Sequence, residues 1–129
     1  MTVFFCSRSV INDCRQAVSE RILQLSAKAA LWISSETKEL FSECSANHLN
    51  ISENPMTEAF KDNFCYTNSI SSIIKHSEDI EMIVLYRNTG SIPDGFLFIE
   101  MLSDWQLIGT NNFESEHGGL IAEELYVKK

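Results

Sequence analysis

Several clusters in the sequence combine residue types that catalyse proton transfer or nucleophilic attack. The run Glu114–His117 sets carboxylates beside an imidazole, which suits general acid–base catalysis. Cys65 and His76 contain the groups of a thiolate–imidazolium pair. A solvated loop and a buried structural cysteine are the simpler interpretations, and no nucleophile elbow, phosphate loop, dinucleotide fingerprint or H-E-x-x-H motif accompanies them. We therefore predict that the protein is not an enzyme.

The spacing of the acidic residues and of the cysteines also argues against a metal site or a redox site. The acidic run of Glu78, Asp79 and Glu81 has neither the ligand spacing nor the glycine of a calcium loop. The cysteines lie 8, 30 and 21 positions apart, without the C-x-x-C spacing of zinc or redox sites: Cys6, Cys14, Cys44 and Cys65. We expect no metal, no cofactor, and reduced thiols that partly fill the core.

The charge of the chain is strongly uneven. The 129 residues have a formal net charge of -8, which repels phosphate backbones and argues against nucleic-acid binding. Residues 1–50 contain five acidic and five basic side chains, whereas residues 51–129 contain 13 acidic and five basic ones. In residues 76–127 there are ten carboxylates, and Arg87 is the only base. One interpretation of this excess of carboxylates is solubility. The other is an acidic surface that attracts a basic protein partner.

No segment of the sequence has the length of a membrane span. The N-terminal apolar run, Val3 to Cys6, is far shorter than the roughly 20 residues that a span requires, and no basic region precedes it. We expect a cytoplasmic protein without membrane contact.

The secondary structure that must position these groups is predicted to change from helices to strands near residue 80. Apolar residues at steps of three and four, among them Val18 and Ile22, predict two helices over about 9–33 and 35–45, with one long bent helix as the alternative. Asn54-Pro55 predicts a helix start, and a fourth short helix carries Ile70 and Ile73.

From residue 80 onward the sequence favours strands. Ile80 to Tyr86, Phe96 to Leu102 and Trp105 to Thr110 are rich in strand-forming residues and separated by breakers. The segment 120–129 fits a helix as well as a strand, and we prefer a strand near 124–128. The prediction is a single domain, 1–129, of the α+β class. A helical N-terminal half (about 9–77) packs on a three- to four-stranded antiparallel sheet (about 80–128).

The predicted binding surface consists of acidic loop residues with two apolar anchors among them. Its acids would pair with Lys or Arg on a partner. These residues are Glu78, Asp79, Asp94, Asp104, Glu114 and Glu116, with Trp105 and Phe113 as anchors.

In size, acidity and layout, without any shared motif, the chain resembles bacterial toxin-immunity proteins of the contact-dependent inhibition type. That resemblance implies a tight one-to-one complex with a cognate, basic, nuclease-like toxin domain. A type III secretion chaperone is one alternative. A small ligand-binding or enzymatic domain is another, and Glu100, in the middle of a predicted strand, would then be the first residue to suspect. An exposed edge strand would also permit a homodimer.

Overall fold

One sheet of seven strands runs through the molecule. The computed structural model describes residues 1–7, 10–11, 14–41, 47–59, 63–88, 104–116 and 118–129. The strands are β1 (Thr2–Cys6), β2 (Leu31–Ile33), β3 (Leu49–Ile51), β4 (Phe64–Thr67), β5 (Met82–Asn88), β6 (Trp105–Glu114) and β7 (Leu120–Lys128). Their order in the sheet is β3-β2-β4-β1-β5-β7-β6. The helices are α1 (Arg15–Leu25), α2 (Pro55–Glu58) and α3 (Ile70–Lys75), with 3₁₀ turns at Lys38–Phe41 and Ser77–Asp79.

The sheet is parallel over most of its width and antiparallel at one side. Strands β1 to β5 run in one direction, and β7 is antiparallel to both β5 and β6. We call the side where β1 to β5 end the carboxyl edge and the opposite side the amino edge. The β6–β7 hairpin therefore turns at the carboxyl edge, since Asn88 of β5 lies opposite Ile121.

Each face of the sheet has its own hydrophobic core. On one face Val18 and Ile22 of α1 pack with Phe4 and Tyr86, and the turn residue Phe41 joins them. On the other face, Met56 of α2 and Ile73 of α3 pack with residues that alternate with the first set, such as Phe5 and Ile83. Helices thus cover both faces, as in other mostly parallel sheets.

The predicted fold class is wrong. The protein is an α/β structure: β2, β3 and β4 lie within the segment 9–77, which we predicted to be a helical half, and β1 precedes it. Leu31–Ile33 is a strand, although its apolar residues continue the helical spacing of α1. Strands buried on both faces are short continuous apolar runs without alternation, so they cannot be distinguished by period from a buried helix.

Other elements match the prediction more closely. Within the predicted helix 9–33 the structure has α1, and Val18 and Ile22 are buried there as expected. The short helices at Pro55 and Ile70 are present, with Pro55 in the first turn. The strands near 80–86, 105–110 and 124–128 are confirmed as β5, β6 and β7. The predicted strand Phe96–Leu102 and Glu100 lie outside the described residues.

Two adjacent carboxylates in β7 are buried, one on each face. Glu123, 3% exposed, accepts hydrogen bonds from Nε and Nη2 of Arg21 in α1 at 2.9 and 3.1 Å, and from the Tyr86 hydroxyl at 2.8 Å. Glu124 accepts two from Arg87 of β5 at 2.9 and 3.3 Å. The hydrogen bonds to these carboxylates raise the pKa of both arginines.

None of the helices in the described part of the chain is both long and apolar enough to cross a membrane.

We expect Arg21→Ala to lower the free energy of unfolding by about 3 kcal/mol, because it leaves Glu123 buried without its cation. Urea denaturation measures this change. Arg15→Ala removes an exposed arginine from the same helix and should change stability by less than about 0.5 kcal/mol. Equal losses in the two variants would contradict a stabilising role for the ion pair.

The buried thiols predict a loss of stability at alkaline pH. Burial raises the pKa of Cys6 and of Cys65 from 9.0 to about 12. Because the folded pKa exceeds the unfolded one, their contribution is complete below pH 9 and is lost as pH rises towards about 12. Urea denaturation under reducing conditions should show this fall.

The variant with both Cys6→Ala and Cys65→Ala should lose less stability over this pH range. Some loss remains, because burial also raises the pKa of Tyr66 and Tyr86. An identical pH dependence in the variant and the native chain would contradict the assignment to the thiols.

Candidate functional sites

A polar cavity opens at the carboxyl edge, beside the ends of β2, β3 and β4. The chain leaves β2 towards the α1 face and leaves its neighbour β4 towards the α3 face, so the two connections diverge. Open α/β sheets bind ligands in the crevice that such divergence creates. The cavity has a volume of about 520 Å³. We call it the carboxyl-edge cavity.

Hydroxyl groups line this cavity and hold the loops around it. After β2, the amide and hydroxyl of Ser34 contact Oγ1 of Thr37 at 3.2 and 3.1 Å. After β4, Oγ1 of Thr67 accepts a hydrogen bond from the amide of Ser69. Oγ of Ser69 in turn accepts a hydrogen bond from the amide of Ser72 and so caps α3. The loops are therefore shaped by their own side chains, which leaves a preformed polar surface.

The carboxyl-edge cavity is lined by charged residues of both signs. Glu36 and Glu53 come from the segments after β2 and β3, whereas Lys75 comes from the end of α3, next to His76. Its lining therefore contains both carboxylates and an ammonium group. This arrangement fits a small polar molecule that carries both charges.

A second cavity lies at the amino edge and is acidic. Glu78, Asp79 and Glu81 line it, with Met56 among its apolar residues, and its volume is also about 520 Å³. We call it the amino-edge cavity. The α-amino group of Met1 donates to the backbone carbonyl of Asp79 at 3.0 Å, and the amide of Glu81 donates to the carbonyl of Met1 at 2.9 Å. These bonds attach the acidic segment to the start of the central strand.

The residues predicted to bind a partner fall into two groups at opposite edges of the sheet. Glu78 and Asp79 are exposed in the amino-edge cavity, and Asp104 is exposed at the same edge. Glu114 and Glu116 are exposed at the hairpin, at the far end of β6. At ten residues and about 3.4 Å per residue, β6 separates the groups by roughly 30 Å. They do not form one acidic surface.

The predicted apolar anchors are packed inside the protein. Trp105 is 6% exposed, and Nζ of Lys128 lies 5.6 Å from the centre of its ring. Phe113 is partly buried against Tyr86, with ring centroids 6.1 Å apart. Asp94 lies outside the described residues. Our proposed binding surface therefore omits all three.

The groups considered for nucleophilic chemistry are placed unfavourably for it. Cys65 is buried, and its raised pKa is the opposite of what a thiolate nucleophile requires. Cys6, Cys14 and Cys65 are free thiols in the core, as expected. Cys44 and His117 lie outside the described residues. No group of three metal-binding side chains occurs in the described ranges.

Sequence reasoning missed the carboxyl-edge cavity because it missed the strands that end there. A signal was present in the polar residues after each short apolar run. Ser34 follows Leu31–Ile33, Ser52 follows Leu49–Ile51, and Asn68 follows Phe64–Thr67. Read as strand ends, these positions would have predicted a polar edge.

Comparison with known proteins gives no family for the chain. No protein-family model matches it, and a search of curated proteins finds no match. Any functional assignment therefore rests on the two cavities and on the charges around them.

Proposed function

We propose that this protein binds a basic protein partner at its amino edge and inhibits it, in the manner of bacterial toxin-immunity proteins. The observation that supports this proposal is the amino-edge cavity, where Glu78, Asp79 and Glu81 line one opening. Among the described residues, no Lys or Arg side chain lines it, and the α-amino group of Met1 and the imidazole of His76 lie in its lining beside the three carboxylates. Asp104, also exposed at this edge, adds to the negative potential there.

The shape of the cavity suits a long cationic side chain. The aliphatic part of a partner's Lys or Arg can pack on Met56 and Ala59, while its charged end reaches the carboxylates. Arginine can bind a carboxylate through two parallel hydrogen bonds, so it would be held most specifically. Exposed carboxylates also steer a basic partner over distances comparable to the Debye length, and this attraction weakens with salt.

The pairing inside the protein leaves these acids available. Arg21 and Arg87 are committed to the buried Glu123 and Glu124, so neither neutralises the surface. Lys128 and Lys129 are also exposed at the amino edge, and Lys128 lies one strand away from Glu81, because Val127 pairs with Met82. Neither lysine lines the cavity, so its excess of carboxylates is a local feature.

The test uses the product of the neighbouring reading frame, co-expressed with this chain, or a hexa-arginine peptide as a probe. We expect a complex whose association rate falls at least tenfold between about 50 and 500 mM NaCl. The variant Glu78→Lys, Asp79→Lys, Glu81→Lys should slow association by a similar factor, because it reverses the charge of the cavity.

The matched control is Glu114→Lys, Glu116→Lys at the opposite edge. It changes the formal net charge by about +4, against about +6 for the triple variant, and leaves the amino-edge cavity intact. A smaller effect in the control supports the proposed location. Equal effects of the two variants, or a complex insensitive to both, would refute it.

The carboxyl-edge cavity favours a second candidate function, the binding of a small zwitterionic molecule. The specific observation is its position at the ends of parallel strands, with Glu53 and Lys75 both in its lining. A ligand with a carboxylate and an ammonium group, such as a free amino acid, could contact both.

A thermal-shift experiment with the free amino acids at about 10 mM tests this candidate. A ligand whose dissociation constant is about one hundredth of that concentration would add about 2.7 kcal/mol to the free energy of unfolding. The melting temperature would then rise by several degrees. Lys75→Met should abolish the shift, whereas Lys28→Met, at an exposed position in a distant turn, should not. The absence of a shift with every amino acid would reject them as ligands.

A further inference from the structure

The carboxyl-edge cavity and the amino-edge cavity adjoin between α2 and α3. Met56, Thr57 and His76 belong to the lining of both cavities. Met56 is 5% exposed, so it forms the floor where the cavities meet and does not stand between them as an exposed wall. Thr57 comes from α2 and His76 from the end of α3. We call the two adjoining cavities together the α2–α3 groove.

The direction of the groove follows α3. Ser69, Ser72 and Lys75 line the carboxyl-edge cavity at steps of three residues, which places them along one side of the helix. α3 begins after β4 at the carboxyl edge, and the chain reaches the amino edge before β5 begins, where Glu78 lines the second cavity. The groove therefore crosses one face of the sheet from edge to edge.

The dimensions of the groove fit a short extended peptide. α3 has six residues, and the 3₁₀ turn after it has three. At about 1.5 Å and 2.0 Å per residue, they cover roughly 15 Å. An extended chain advances about 3.3 Å per residue, so about five residues span this length. Hydroxyl groups along the groove, such as those of Thr57 and Ser72, can donate and accept hydrogen bonds, which suits peptide backbone groups.

Exposed carboxylates enter the groove from both edges of the sheet. Glu36 and Glu53 follow β2 and β3 at the carboxyl edge, and three more acids precede β5 at the amino edge: Glu78, Asp79 and Glu81. Among the described lining residues, Lys75 is the one Lys or Arg. The carboxylates outnumber the cations even when the α-amino group of Met1 and a protonated His76 are counted. A segment with a cationic residue near each end complements this distribution.

We propose that the α2–α3 groove binds an extended segment of the basic partner, with a Lys or Arg at each end of the segment and neutral residues between them. This inference rests on the proposed function and specifies that the partner presents a linear motif there. Lys75, next to His76 at the junction of the cavities, disfavours positive charge in the middle of the segment.

Two fluorescent peptides of identical composition test the spacing. Their sequences are Arg-Ser-Ser-Ser-Arg, the spaced peptide, and Arg-Arg-Ser-Ser-Ser, both with blocked ends. We expect the spaced peptide to bind at least about tenfold more tightly in fluorescence anisotropy, because its arginines lie roughly 13 Å apart and reach carboxylates at both edges. Attraction to net charge alone gives equal affinities, and that result would overturn the proposal.

Paired variants locate the binding, and circular dichroism verifies that each one folds. Thr57→Phe fills the junction of the cavities and should weaken binding of the spaced peptide at least about tenfold, whereas Thr110→Phe, at an exposed position of β6, should not. Glu53→Gln should remove most of the preference for the spaced peptide. Glu58→Gln, an exposed position of α2 outside both described linings, should keep it. Equal effects within either pair would overturn the proposal.

The complex with the basic partner separates this inference from the proposed function. Binding that is lost on charge reversal of the amino-edge acids but unchanged in Thr57→Phe and Glu53→Gln would overturn the groove and leave the proposed function in place. A complex insensitive to all of these variants would refute both.

A cation of the chain itself is the competing occupant. Lys61 lies two positions after Ala59, which lines the amino-edge cavity. Lys61→Ala should change the affinity for the spaced peptide by less than about twofold. A gain of about tenfold would identify this lysine as the occupant of the acidic end and would overturn the assignment to a partner.

Discussion

Two neighbouring carboxylates in β7 constrain the whole antiparallel side of this protein. Successive residues of a strand point to opposite faces, so Glu123 and Glu124 need a cation on each face of the sheet. Arg21 comes from the helix over one face, and Arg87 from the adjacent strand for the other. A buried carboxylate without its cation is strongly destabilising, so the position of β7 is stabilised by α1 and β5 together.

The position of β7 in turn determines what the protein can present to other molecules. By holding β7 against β5, the ion pairs place β6 at the outside of the sheet and its hairpin at the carboxyl edge. Both arginine side chains, 31% and 25% exposed, are paired with these buried carboxylates and not with the exposed acids.

The sequence predicted best where the pattern of apolar residues was long and unambiguous. The run of strand-forming residues from Ile80 to Tyr86 identified β5, and the spacing of Val18 and Ile22 identified α1. The prediction was wrong where strands are short and covered on both sides, as at Leu31–Ile33, because burial on both faces removes alternation. Because of that error we predicted the α+β class for an α/β protein, and we did not predict the carboxyl-edge cavity.

By itself, the sequence determined the excess of negative charge, its concentration after residue 50 and the residues able to form helices. Only the tertiary structure decided which acids share a surface. It buried Glu123 and Glu124, gathered Glu78, Asp79 and Glu81 at one cavity, and placed Glu114 and Glu116 at the far edge. Composition is a sum over the chain, whereas an electrostatic surface depends on distances, and those are established by the order and direction of the strands.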